Sequence, residues 1–132
     1  MEKELLQEGG ERMLKIENLV VNYGYINVLR GISFEVHKGE IITLIGSNGA
    51  GKTTTLNSIS GLKKKESGKV FFKGENISNL APHKIVKMGM CHVPEGRKIF
   101  PALTVKENLM AGTFGKPELK KDQIESLCEE IY

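Results

Sequence analysis

Gly46-Ser47-Asn48-Gly49-Ala50-Gly51-Lys52-Thr53 decides the reading of this 132-residue chain. The eight residues match the pattern G-x-x-x-x-G-K-[ST] at each fixed position. The glycines let the backbone curl, so that several N–H groups point at one anion. Lys52 brings a point charge for the β- and γ-phosphates of a nucleotide, and Thr53 offers a hydroxyl to Mg²⁺. A helix that follows would present its positive end to the same anion.

The flanks carry the order this mechanism needs. Before the loop, Glu40-Ile41-Ile42-Thr43-Leu44-Ile45 is a short apolar run that predicts a buried strand. After it, Thr54-Thr55-Leu56-Asn57-Ser58-Ile59-Ser60 predicts a helix with Leu56 and Ile59 on one side. Gly61 suits the position just past a helix end.

Composition excludes several classes. Charged residues are 27% and hydrophobic ones 39%, ordinary values for a globular protein with a core. The net charge of +3 is mild and the lysines are scattered, so nucleic acid is not expected as a partner. The one basic run, Lys63-Lys64-Lys65, predicts a solvated loop after the helix. No stretch of about 18 apolar residues is present to cross a membrane, and the N-terminus has no apolar signal region. Cys91 and Cys128 are isolated, which fits a thiol-reducing setting. His37, His83 and His92 lack the spacing of a metal site.

Residues 1–12 are polar, contain Gly9-Gly10 and are expected to be a disordered extension. Met13 is read as a start site, because the patterned chain begins there. Leu14 to Tyr23 predicts a strand broken by Gly24, and Val28 to Val36 a second one. The turn His37-Lys38-Gly39-Glu40 leads toward the phosphate loop. Gly68 to Gly74 predicts another strand. Strands in such close succession predict an antiparallel sheet beside the nucleotide core. Pro82 suits the first turn of a short helix that buries Ile85, Val86 and Met88 and stops at Gly89. Met90-Cys91-His92-Val93 predicts a short buried strand ended by Pro94. Thr104-Val105-Lys106-Glu107 has the form of a capping box, so a helix begins there. Near the end, Ile124, Leu127, Cys128 and Ile131 fall on one helical face.

With these residues in place, the chain resembles the nucleotide-binding subunit of ABC transporters, from about Met13 to Tyr132. Four stretches carry the resemblance. They are Tyr23-Gly24, the loop from Gly46 to Thr54, Gly61-Leu62 with Ser67-Gly68, and Val93-Pro94-Glu95-Gly96-Arg97-Lys98-Ile99-Phe100-Pro101 leading to Leu103-Thr104-Val105 and Glu107-Asn108-Leu109. Most of the family has Gln at Glu95. The version here, with Pro82 to Gly89, looks like the second ATPase of the branched-chain amino acid importers. Importers of urea or short amides share much of it.

The resemblance implies an α/β fold: a P-loop NTPase core, an antiparallel β-subdomain and the start of an α-helical subdomain, truncated. It implies a partial nucleotide-binding domain over residues 13–132, with the phosphate loop at 46–53 and the helical subdomain beginning near 104. It implies ATP and Mg²⁺ as cofactors. Tyr23 would stack on adenine, while Ser47, Asn48, Gly49, Ala50, Gly51, Lys52, Thr53 and Thr54 hold the phosphates. Thr53 and Glu95 would face Mg²⁺, and Lys52 and Glu95 would act in catalysis. The exposed mix of Arg97, Ile99, Phe100 and Leu103 would dock a membrane permease subunit. A second ATPase subunit would complete the pair, placing the protein on the cytoplasmic face of the membrane. The L-S-G-G-Q signature and the apolar run ending in Asp-Glu are absent from these residues. The water-orienting glutamate of phosphoryl transfer is therefore missing too. Nucleotide binding without turnover is expected of this stretch by itself.

Overall fold

The computed structural model describes residues 10–96, 98–115 and 118–130. The chain divides into two units, Met1–Pro82 and His83–Tyr132, and each is described by itself.

The first unit is built on a four-stranded antiparallel sheet of order β2-β1-β3-β4, comprising β1 (Arg12–Tyr23), β2 (Ile26–His37), β3 (Ser67–Phe72) and β4 (Glu75–Asn76). β1 and β2 form a hairpin closed at Tyr23↔Ile26. Gly24 takes a left-handed φ of 58° in its two-residue turn, as tight hairpins favour. β1 starts at Arg12, and Lys38 N–H donates to Glu11 O at 2.9 Å. Residues 1–9 of the expected disordered extension lie outside the described residues.

Ile16, Leu19 and Val21 of β1 are fully buried, with Leu29 of β2 and Val70 and Phe72 of β3. A regular strand would send Ile16 and Leu19 to opposite faces. A bulge reconciles them: the pairing shifts register between Ile16 and Leu19, and Asn18 takes φ 47°. Its N–H donates to Ser33 Oγ at 2.8 Å. Gly68 of β3 sits against this bulge with φ 97°, and a Cβ there would lie 2.5 Å from Asn18 O. Only glycine fits that position.

The helix after the loop, α1 (Lys52–Ile59), carries three threonines after Lys52 in its first turn, and these are weak helix formers. Packing holds it instead, because Thr55, Ser58 and Ile59 are buried. Thr55 Oγ1 also donates to Gly51 O at 2.9 Å. The helix stops as expected: Ser60 is its C-cap and Gly61 follows with φ 76°.

Two predicted strands are not formed. Glu40–Ile45 takes no strand pairing, and Ile41 and Ile45 are 94% and 92% exposed. The reason is a missing neighbour. A buried strand of a parallel sheet needs ladders on its edges, and no described strand runs beside this segment. Met90–Val93 is likewise irregular, with Cys91 and Val93 exposed.

α2 covers Pro82–Lys87. It buries Ile85, exposes Val86 and is followed by Gly89 at φ 97°. The second unit continues with α3 (Val105–Ala111), a 3₁₀ turn over Gly112–Gly115 and α4 (Lys121–Glu129). α3 begins at the predicted capping box: Glu107 N–H donates to Thr104 Oγ1 at 3.3 Å, and Thr104 N–H donates to Glu107 Oε2 at 2.7 Å. On α4, Cys128 is buried and Leu127 exposed. Ile131 lies outside the described residues. No described helix is long and apolar enough to cross a membrane.

Candidate functional site

The phosphate loop of the first unit is shaped by its glycines and by one strand behind it. Gly49 and Gly51 take φ of 87° and 92°. Gly51 is the N-cap of α1 and is buried against β2: a Cβ on it would lie 2.6 Å from Leu29 Cδ2 and 3.4 Å from Val28 Cγ1. The third glycine is thus a packing requirement as well as a conformational one. Ala50 N–H donates to Ser47 O at 3.1 Å, which closes the turn.

Lys52 is fixed over this turn. Its Nζ donates to Gly46 O at 2.7 Å and Ser47 O at 2.8 Å. The ammonium therefore stands at the loop rather than out in solvent. The first bond of α1 runs from Thr55 N–H to Gly51 O at 2.8 Å. The N–H groups of Lys52, Thr53 and Thr54 precede it, and no side chain caps this helix end. Such donors have no partner within their own helix. Free N–H groups at a helix start are the kind of donors that can receive an anion. Thr53 is exposed on the first turn. Ser47, Asn48, Gly49 and Ala50 form the exposed outer wall.

Tyr23 stands at the hairpin end of β1 and is 45% exposed. Its ring has a partner the sequence did not reveal: Lys63 Nζ lies 3.7 Å from the ring centroid. The basic run is thus not simply solvated. Lys65 is half-buried, and its Nζ donates to Ser78 O and to Asn79 Oδ1. Burial holds its pKa below the ordinary lysine value. The signal available in advance was position: three lysines just past a helix C-terminus favour its negative end.

Glu95 belongs to the second unit, in an irregular segment, and is exposed. Thr53 belongs to the first unit, so the two expected Mg²⁺ contacts are described separately. Among the described residues, no cluster of three His, Cys, Asp or Glu side chains is placed to hold a metal. Thr53 offers a hydroxyl, a hard oxygen donor of the kind Mg²⁺ takes.

The loop after Glu95 presents an apolar face. Ile99, Phe100 and Leu103 are exposed, so they do not pack beneath their own loop. With Pro101, Val105 and Leu109 they line a groove of about 300 Å³. Arg97 lies outside the described residues. Asn108 on α3 shapes this face: its Oδ1 accepts from Phe100 N–H at 2.8 Å. Its Nδ2 donates to the carbonyls of Phe100, Leu103 and Thr104 at 3.0–3.2 Å. Sequence reasoning noted Asn108 but assigned it no such role. A polar side chain bonding back to a loop is a tertiary feature with no periodic signature.

Comparisons with known proteins bear on the family and the fold. The family model described as ABC transporter matches residues 29–131. The chain is 44% identical over 102 residues to the high-affinity branched-chain amino acid transport ATP-binding protein BraG of Pseudomonas aeruginosa, covering 77% of this chain and 44% of that protein. It is 38% identical over 123 residues to the lipopolysaccharide export system ATP-binding protein LptB of Haemophilus influenzae, covering 90% of this chain and 51% of that protein. Among solved structures, it is similar to the ADP conformation of MJ1267, an ATP-binding cassette of an ABC transporter. The TM-score is 0.71 at 31% identity, covering 88% of this chain and 45% of that one. The chain spans about half the length of the curated relatives it matches.

Proposed function

Because the chain belongs to the ABC transporter family, we propose that it supplies the adenine- and phosphate-binding part of a transport ATPase that powers import of branched-chain amino acids. The observation that carries this is Lys52. Its ammonium is held at the loop by two carbonyls, beside the uncapped N-terminus of α1. That arrangement recognises a polyphosphate by charge and by backbone donors together. Tyr23 takes the adenine face. Thr53, and separately Glu95, would offer an oxygen ligand to a bound Mg²⁺, which would supply charge neutralisation at the β- and γ-phosphates. The exposed loop from Glu95 to Leu103 is the docking face for a membrane permease subunit, because exposed apolar loop residues mark a partner surface. A second ATPase subunit completes the assembly on the cytoplasmic face of the membrane.

The import reading is supported by the 44% identity to BraG and by the V-P-E-G-R-K-I-F-P sequence at Val93–Pro101. The water-orienting carboxylate of hydrolysis is not supplied by these residues, so turnover belongs to a complete cassette.

Lys52→Ala tests the site. It should lower ATP–Mg affinity by at least about tenfold, as expected for loss of a charged contact worth about 1.5–3 kcal/mol. Unchanged affinity in isothermal titration would remove the assignment. Uptake tests the substrate: disrupting the gene should abolish leucine, isoleucine and valine uptake and spare urea. The reverse pattern would move the protein to the short-amide importers.

A further inference from the structure

Lys63 meets Tyr23 because two backbone ties carry it there. Lys63 N–H donates to Asn57 O at 2.9 Å, fastening the chain just past α1. Glu66 N–H donates to Val20 O at 2.8 Å, fastening the next residues to β1. Between these ties the half-buried Lys63 reaches the hairpin end of β1. Its Nζ stands 3.7 Å from the Tyr23 centroid. An ammonium over an aromatic face is attracted by the ring quadrupole. Its approach also limits how far the ring can tilt.

The direction of that approach matters. The phosphate loop lies at the N-terminal end of α1, and Lys63 follows the C-terminal end. The eight residues of α1 separate these ends by about 12 Å at the helical rise. Gly51 of the loop packs on Val28 and Leu29 of β2, just beyond the hairpin turn from Tyr23. Lys63 therefore leaves the chain beyond the end of α1 opposite the phosphate loop. A base whose phosphates sit on the loop would stack on the ring face that Lys63 leaves free, and Tyr23 is 45% exposed.

We propose that Lys63 is a positioning residue for the adenine: it backs the Tyr23 ring and holds it at the angle at which a purine stacks. The proposal rests on the reading of Tyr23 as the stacking platform. Lys63 acts through the ring and not on the phosphates, so its effect depends on the presence of a base.

The test compares two ligands, ATP and inorganic tripolyphosphate, each with Mg²⁺, by isothermal titration on the full chain. Lys63→Met keeps an unbranched side chain one atom shorter and removes its charge. It should weaken ATP about two- to fivefold, the size of an exposed cation–π contact, and leave tripolyphosphate unchanged. Lys63→Arg should restore ATP affinity. In a Tyr23→Ala background, Lys63→Met should have no further effect. Unchanged tripolyphosphate binding also certifies that each variant is folded. Equal weakening of both ligands, or unchanged ATP affinity beside a weakened Tyr23→Ala, overturns the role of Lys63 alone. Unchanged ATP affinity in Tyr23→Ala removes the platform and the proposal with it.

Discussion

Strand β1 and the segment Glu40–Ile45 are equally apolar to the eye, yet they end in opposite environments. Ile16, Leu19 and Val21 of β1 are buried to 1% exposure or less, while Ile41 and Ile45 stand almost bare. The difference is not in the residues. β1 is flanked on both edges, by β2 through a hairpin and by β3. Glu40–Ile45 has no described neighbour. A hydrophobic run becomes a strand only when another strand satisfies its backbone. A hairpin brings that neighbour within a few residues, whereas a parallel sheet must recruit it from afar.

The comparison can be broken at its strong end first. Leu19→Ala should destabilise the chain by about 2–5 kcal/mol, the range for a large core truncation, seen as a lower urea midpoint. A small change would mean that β1 is not the core. Next comes Gly68→Ala. The left-handed backbone alone makes it unfavourable by about 1–3 kcal/mol, and its Cβ would also press on Asn18 O. A neutral result would show that the bulge between Ile16 and Leu19 can be relaxed away.

Smaller effects sharpen the contrast. Thr104→Ala should loosen α3 by about 1 kcal/mol, since it removes an N-cap. The same cap gives a pH signature. The Thr104 backbone N–H, then its hydroxyl, hold the Glu107 pKa below the ordinary value of 4.5. A lowered folded pKa means stability that is fully present above 4.5 and lost as pH falls through the folded value. The difference in thermal midpoint between parent and Glu107→Ala should therefore shrink in acid. If it grew, the carboxylate would not be the capping species. The smallest effect belongs to the bare segment. Ile41→Ser should change stability by no more than about 0.5 kcal/mol, as for other exposed positions. A loss as large as that of Leu19→Ala would mean that the segment is buried after all.

The same contrast explains what the sequence could tell. The glycine turn before α1, the capping box at Thr104 and the stop at Gly61 were legible because each closes within a few residues. The antiparallel sheet was legible because Gly24 and the alternation around it act locally. The contact of Lys63 with Tyr23, the bulge that Gly68 fits and the bracing of Phe100 by Asn108 were not. Each depends on which distant segments meet. The predicted strands at Glu40–Ile45 and Met90–Val93 failed for the same reason. Their apolar content was read correctly, but the pairing it requires lies outside the local sequence.

The loop from Gly46 to Thr54 is proposed to hold the phosphates of ATP. Amide hydrogen exchange with and without ATP–Mg tests it most directly. Adding nucleotide should slow exchange at Gly51, Lys52, Thr53 and Thr54, with β1 protected throughout and residues 41–45 open throughout. Nucleotide binding that left those four amides unchanged would contradict it.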